Sequence, residues 1–593
     1  MIARLTVILF IATGPLAFAK GLPAEKPPTF NRNIAPILFS QCAACHHSGG
    51  LGPFSLVTFA EAKKRAKMIT RVTASRYMPP WLPEPGHGDF VGARRLDDAQ
   101  ISLIARWVKA GAPEGAAADL KPPPFWNDDW QLGKPDLIVA MPEGYTLPAD
   151  GKDVYRNFVI PNAIPTNVFL RAMEMRPGNP GIHHGSIFFD NTGSARRLQS
   201  KAALPPAPSA DAKPSPHPPE KTEPGFPGMN PGDGAKTPAA MFTGWQPGKR
   251  PSEAPPSLSA PLRKGADMVL QLHMRPTGKP ESIQPSIALY FTDQPPTRSA
   301  MLLALRSVEM DIPPGDSDYA VESSYKLPVD VEVLAVAPHM HYLGKEAHGW
   351  AELPDGTHAE LILIKRWDFN WQGDYRYATP IPLPKGTTLH MRYTYDNSAA
   401  NPNNPNQPPK RVTYGLQSSD EMGELWLQIV PQRESDMQTL DRDYSKNWVL
   451  PDSLARNQVI ARLEPKNVEN RTALAADLAV SGRLDEALKE ANQAIADDPK
   501  YAPAYYRLSQ ILIKQNKPSD AKVALARSVE LDPENANTQG DLGWIMLSFG
   551  EIFPALEHLQ KAVDLNPSDP LAQENLKKAL SIARERLIIR QGK

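Results

Sequence analysis

Between about residues 125 and 450 the hydrophobic and polar positions alternate in short runs. These include DLIVAM, VYRNFVI, NVFLRAMEM, GSIFFD, ADMVLQLHM, SIALYFT, VEVLAVAPHM, AELILIKRW and TLHMRYTY. Each is bounded by Pro, Gly or Asn-Asp clusters. Successive side chains of an extended chain point to opposite faces, so this period predicts strands half-buried in sheets. Short strands divided by turn residues predict β-sandwiches rather than βαβ units. The length suits two, over 125–300 and 301–450. A Pro-, Ala- and Lys-rich stretch at 203–240 interrupts the first. It has few large apolar residues, which predicts an exposed, extended loop.

The pattern changes at both ends. Residues 27–115 predict a small helical domain, with one helix over Phe30–Ser40, a helix-like run over Ala60–Ile69 and another helix over Leu96–Ala110. In the last, Ile101, Ile104, Trp107 and Val108 fall at helical spacing, and Gly111 and Pro113 stop it. In 465–593, Pro499, Pro533 and Pro567 recur every 34 residues. Ala487, Ala521 and Ala555 keep that spacing, as do Leu474, Leu508 and Leu542, and Gly482, Asn516 and Gly550. A 34-residue helix–turn–helix period resembles tetratricopeptide repeats. The resemblance implies an all-α solenoid of three repeats plus a capping helix over Pro570–Ile589, and a protein partner.

The 593-residue chain has a formal net charge of zero, so nothing points to nucleic acid or an anionic membrane surface. Arg4, the apolar run Leu5–Ala12 and Ala17-Phe18-Ala19 before Lys20 read as a secretory signal over 1–19. An uncleaved anchor is the alternative. No later segment is long and apolar enough to span a bilayer. The expected location is therefore periplasmic or otherwise exported. With only two cysteines, both in one motif, no structural disulfide is expected. The 64 prolines argue against long helices in the middle.

The motif is Cys42-Ala43-Ala44-Cys45-His46. Two thiols at this spacing can each form a thioether to a haem vinyl, and the next histidine is placed to ligate the iron. A redox dithiol or half of a zinc site is the competing reading. The expected domain at 27–115 is thus a c-type cytochrome with covalent haem c. Met78 in RYMPPW is the expected second axial ligand, with Met68, His47 and His87 as competitors. Met68 is set aside because its helical run suggests a core position. His/Met ligation suits electron transfer rather than oxygen binding.

Two further sets of metal ligands lie in the β region. His339 and His341, in APHMHYLGK, share a face if the chain is extended, so both imidazoles can reach one metal. Met422, in QSSDEMGELW 81 residues after His341, can add a thioether, which favours Cu(I). His183 and His184 are adjacent, so they meet one ion only at a bend, which Gly181 and Gly185 allow. His273 in LQLHM offers a third nitrogen. By spacing alone, either set could also hold zinc.

These histidines, Met422 and their flanks resemble the copper type II, ascorbate-dependent monooxygenases, the family of the peptidylglycine α-hydroxylating and dopamine β-monooxygenases. The resemblance covers about 130–432 and implies two jelly-roll-like β-sandwiches holding two copper ions. It makes His183, His184 and His273 an electron-transfer copper site. It makes His339, His341 and Met422 an oxygen-activating one that hydroxylates a substrate C–H bond. The departures concern the substrate. Ala337 stands where the peptide-amidating enzyme has an arginine, and Glu424 and Trp426 stand where it has asparagine and tyrosine. A glycine-extended peptide is not the expected substrate. The helical ends look like those of multidomain bacterial members.

The leading expectation is an exported copper monooxygenase acting with O2 on a small-molecule or peptide substrate. Its electrons would come from a small reductant or redox protein, by way of the haem. The alternative is a non-enzymatic electron-transfer or copper-handling protein that docks a partner through its repeats. Of the remaining histidines, His217 falls in the low-complexity stretch. His348, His358, His390 and His558 lack sequence partners and read as surface or packing residues. Trp367 and Trp371 read as packing, with lining of the substrate cleft as the alternative.

Overall fold

The computed structural model describes residues 26–48, 50, 52–123, 130–202, 223–247, 249–251, 253–567 and 569–591. The predicted signal at 1–19 and His217 lie outside them. The chain forms two compact units. The first contains Met1–Trp81 and Arg94–Asp128, and the second contains Leu82–Ala93 and Asp129–Lys593. No helix among the described residues is long and apolar enough to cross a membrane.

The first unit is helical. A π-turn over Phe30–Ile34 runs into helix Ala35–Gln41, followed by helices Phe59–Lys64, Ala66–Ala74 and Asp98–Lys109. Capping boxes start two of them, Thr58 with Glu61 and Asp97 with Gln100, each satisfying end N–H groups reciprocally. Phe30, Ile34, Leu38, Ile104 and Trp107 are fully buried together. The two ends of the core are tied where Phe30 N–H donates to Pro113 O (2.9 Å) and the Trp107 indole donates to the same oxygen (3.0 Å). The run read as one helix over Ala60–Ile69 is two, broken at Arg65. Met68 sits on the outside, 43% exposed, so the reason for setting it aside does not hold.

The second unit begins with two groups of antiparallel sheets. In the first group, four strands (Leu137–Ala140, Ser286–Thr292, Val168–Arg176, Ala260–Leu262) form one sheet. Val154–Ile160, Asp267–Met274 and Ile182–Asp190 form the centre of a five-stranded sheet. In the second group, Met301–Ser307, Gly423–Pro431, Val331–Met340 and Tyr375–Leu383 make one four-stranded sheet. Tyr319–Lys326, Thr388–Tyr395, Gly344–Glu352 and His358–Ile364 make the other. Leu334 and Val430 of the second group pack into the core of the first, with Leu270, Leu272 and Ile187.

The stretch 203–240 is not an extended loop throughout. Residues 203–222 lie outside the described residues, but 223–240 pack. The buried Arg156 guanidinium donates to the carbonyls of Glu223, Pro224 and Gly225, and Asn157 donates to that of Gly228. Phe226 is 4% exposed. Buried donors meeting backbone carbonyls do here what apolar side chains were expected to do. The second sandwich also ends sooner than 450. Its last strand closes at Pro431, and helices Met437–Tyr444 and Leu450–Leu463 follow.

The C-terminal region is all-helical and tetratricopeptide-like. Three antiparallel helix pairs, starting at Val468, Ala502 and Ala536, precede helix Pro570–Gln591. Small residues allow the close crossings, and Ala487, Ala521 and Ala555 are fully buried. At Gly543 an added Cβ would lie 2.7 Å from Leu559 Cγ and 2.9 Å from the Ala555 carbonyl oxygen. The crossing therefore has no room for a methyl group. Gly543→Ala should destabilise the repeat array by about 1–3 kcal/mol, because overpacking must move backbone. Urea unfolding followed by far-ultraviolet circular dichroism measures this; an unchanged midpoint contradicts the packing described.

Candidate functional site

His183, His184 and His273 converge. Their ligand nitrogens lie within 4.8 Å of one another. The local cause is a register shift between Ile182 and His184, where the strand pairs with Asp267–Met274. A bulge adds one unpaired residue and bends the strand. His184 is then opposite His273, while the His183 ring lies 4.1 Å from that of His184. The bend expected at Gly181–Gly185 is thus realised as a bulge.

Both nitrogens of the buried His183 ring lack a hydrogen-bond partner. A buried imidazole without partners is costly unless something absent from the structure meets it. Burial, and then the neighbouring His273 and Arg275, lower its pKa to about 3, so the ring is neutral as a metal ligand must be. His273 Nε2 pairs with Asp153 Oδ2 at 2.8 Å, leaving Nδ1. Metal-ligating imidazoles commonly donate their other N–H to a carboxylate in this way. Burial opposes the Asp153 charge, but hydrogen bonds from His273 and Ser418 and the charge of Arg275 hold its pKa below the usual range.

His339 stands at the end of the Val331–Met340 strand and His341 just after it, with ring centroids 5.2 Å apart. His341 Nδ1 lies 3.0 Å from the Asp420 carbonyl oxygen, so Nε2 is left free. Burial, and next His339, lower the His341 pKa to about 3. Glu421 is fully buried beneath this turn and accepts N–H bonds from His341 (2.9 Å), Leu343 (2.6 Å) and Met422 (3.2 Å). Burial nevertheless pushes its carboxyl up to about 8.

One cavity of about 390 Å³ is lined by His184, His273, His339, His341 and Met422. The rings of His184 and His339 are 6.4 Å apart. Gln372 sits between them, its Oε1 2.5 Å from His339 Nδ1 and its Nε2 3.2 Å from His184 Nε2. Ala337, Glu424 and Trp426 also line the cavity, with Met229, Trp245 and Leu416. The Trp426 indole donates to Glu424 at 2.8 Å. Ala337, Glu424 and Trp426 therefore all face one space.

Sequence reasoning missed Gln372 and Phe369, because an amide and a phenyl ring in WDFNWQ carry no spacing signal. Phe369 lies against the rings of His183, His184 and His341. Trp367 is buried and donates to the His341 carbonyl at 3.1 Å, so its role is packing beneath the turn.

In the first unit, Cys42 and Cys45 are both free and His46 follows them. His46 Nδ1 lies 3.0 Å from the Phe54 carbonyl oxygen, which leaves Nε2 available. Gly52 packs against the ring, where an added Cβ would lie 2.5 Å from Nδ1. Burial, and then Cys45, push the Cys42 thiol up to about 12. A redox dithiol needs a depressed thiol, so this environment does not favour that reading. Met78 is half-buried, its N–H donating to Val72 O at 3.1 Å. His47 Nδ1 lies 2.8 Å from the Ala43 carbonyl oxygen, and His87 belongs to the second unit. The donor set Cys42, Cys45 and His46 fits covalent haem, with Met78 or Met68 as the candidate second ligand. The donor sets of the second unit fit copper.

Residues 478–537 match the tetratricopeptide repeat family. The human protein O-mannosyl-transferase TMTC3 is 32% identical over 129 residues, which is 21% of this chain and 14% of that protein. Its mouse counterpart is 25% identical over 275 residues, 42% of this chain and 29% of that one. The TPR repeat-containing thioredoxin TTL4 of Arabidopsis thaliana is 39% identical over 77 residues, 13% of this chain and 11% of that protein. This chain therefore spans less than a third of each of these relatives. The crystal structure of MamA protein matches at 23% identity and TM-score 0.21, covering 24% of this chain and 76% of that one.

Proposed function

We propose that this chain is an exported, copper- and haem-containing oxidoreductase of the monooxygenase type, which docks a protein partner through its repeats. One observation carries the catalytic part. Four histidines (His184, His273, His339 and His341) and Met422, from stretches far apart in sequence, line a single cavity, and His183 stands beside His184 and His273. When bound, copper supplies the one-electron and oxygen chemistry that no side chain here can perform. His183, His184 and His273 would hold one ion; His339, His341 and Met422 would hold the other. Asp153 and the Asp420 carbonyl orient two of these rings through their second nitrogens. Trp245, Met229 and Phe369 give the cavity apolar walls, and Glu424 with Trp426 offers the substrate a polar edge. The haem would pass electrons, held by Cys42, Cys45 and His46.

A second reading has its own support. The matches to other proteins concern repeats, so they favour protein docking more directly than any chemistry. Trp544, Phe549 and Phe553 are 40%, 43% and 54% exposed on the array, suiting a docking surface. A copper-handling or electron-transfer protein with a docking array would need no organic substrate. Oxygen uptake by copper-loaded protein with a panel of small amines, peptides and phenols separates the two readings. Substrate-dependent uptake, lost in Met422→Ile, is expected. Uptake indifferent to every compound and to the substitution favours the non-enzymatic reading.

Two further outcomes are expected. Met78→Ala should abolish the absorption band of methionine–iron ligation in purified haem protein, whereas Met68→Ala should leave it; the reverse result assigns the ligand to Met68.

The other outcome concerns the metal-free protein. His183 and His341 have folded pKa values of about 3, below the ordinary value of 6.5. Between these values the unfolded chain binds more protons than the folded one. Stability is therefore full above pH 6.5 and falls as pH drops towards 3. Each imidazole should cost about 1.4 kcal/mol per pH unit within that window. Urea midpoints at pH 7.5, 6 and 5 measure the slope, and His183→Phe should flatten it. A slope equal in parent and variant contradicts the assignment.

A further inference from the structure

Among the described residues, two groups of three metal-ligating side chains converge. One is the histidine trio at the cavity. The other, His87, His348 and Glu360, is outside that cavity's lining and is used by nothing described above.

Three separate stretches of the second unit build it. Strands Gly344–Glu352 and His358–Ile364 pair antiparallel, with Trp350 opposite Glu360. The His348 ring lies 4.6 Å from that of Trp350, which limits its rotation. The third stretch is Leu82–Ala93. Its Glu84 N–H donates to Leu363 O at 2.7 Å, its Val91 N–H donates to Arg376 O at 2.8 Å, and Ala378 N–H donates to Asp89 O at 2.8 Å. With both ends anchored, His87 is carried onto the sheet.

There, His87 Nδ1 lies 2.7 Å and His348 Nε2 2.9 Å from the same oxygen, Glu360 Oε2. We propose that His87, His348 and Glu360 form a third metal site, one that binds zinc(II). Two imidazoles and a carboxylate are a zinc donor set that leaves a fourth position for water. Side-chain exposures of 29%, 28% and 36% leave solvent room for that water. Tetrahedral ligands about 2.0–2.1 Å from zinc stand roughly 3.3 Å apart, so each of the two histidine–carboxylate pairs, at 2.7 and 2.9 Å, opens by about half an ångström. The set contains no sulfur, so unlike the Met422 set it does not favour Cu(I). Bound zinc would fix Leu82–Ala93 to the edge of the second sandwich.

The test uses the metal-stripped full-length chain, dialysed against zinc(II), with bound zinc counted by mass spectrometry. His87→Ala, His348→Ala and Glu360→Gln should each bind one zinc per chain fewer than the parent. The histidines of the cavity are unchanged in all four proteins, so the difference does not depend on what they hold. Glu360→Gln keeps the size of the side chain and one acceptor oxygen, which guards against loss by misfolding. Zinc should also slow amide exchange of segment 82–93 several-fold in the parent and not in Glu360→Gln. Equal zinc counts in parent and variants, or equal exchange with and without zinc, would mean that the trio is only a hydrogen-bonded contact, and would overturn the proposal.

Discussion

An ionised carboxylate removed from water is stable only if donors meet it, and Asp153 is where this constraint organises the site. It accepts from the His273 ring and from the Ser418 hydroxyl. His273 belongs to the first sandwich, while Ser418 stands four residues before Met422 on the loop entering the last strand of the second. One half-buried anion thus sets both the ring orientation of a candidate ligand and the position of the loop bearing the thioether. Glu421, whose carboxyl burial pushes up to about 8, ties the other side of that loop differently, its oxygens accepting from the backbone of His341 and of Met422. Breaking such contacts strands a buried acceptor, which costs more than the net worth of the hydrogen bond.

The two carboxylates act within a frame set by packing. Leu334 and Val430 enter the core of the first sandwich, so the sandwiches meet through apolar contact. Polar contacts at the same junction are specific. Lys249 pairs with Asp374 at 2.7 Å, and the Gln428 amide donates to Ala239 O at 2.9 Å. Apolar burial supplies the attraction and the polar contacts fix the register, which is why rings from different sandwiches stand as close as His184 and His339 do.

Much of the β region was legible because its period is simple. The nine short runs of alternating or β-branched residues each contain or overlap a strand, some half-buried and some, such as Asp267–Met274, buried at every position. The repeats were legible because small residues and turn residues recur in register. What escaped has a common physical character. Arg156 holding three carbonyls, Gln372 between two imidazoles, and His348 meeting His87 and Glu360 are all polar contacts between distant stretches. Hydrophobic periodicity does not encode them, and no local motif marks them. His348 read as a lone surface residue because its partners lie 12 and 261 positions away. His390 and His558 also meet partners in other elements, stacking on Trp350 and pairing with Gln539 respectively.

The helical array is joined to the β region more firmly than a linker would join it. Arg306, on the first strand of the second sandwich, lies 3.8 Å from Glu424 and 3.4 Å from Asp452. Burial opposes its charge, but the two carboxylates outweigh this and raise its pKa. Tyr444 both receives the Ala304 N–H (2.8 Å) and donates to the Ala304 carbonyl (2.9 Å), closing the connecting helices onto the same strand. On their other side, Leu454 and Ala461 pack against Leu474 and Leu478 of the first repeat helix. A chain cut after Leu463 therefore exposes an apolar face that the repeats normally cover. A cut before Met437 removes the carboxylate at Asp452 and leaves Arg306 balanced by Glu424 alone, at the rim of the cavity. The connecting helices thus belong energetically to both regions, and the polar edge of the cavity depends on them.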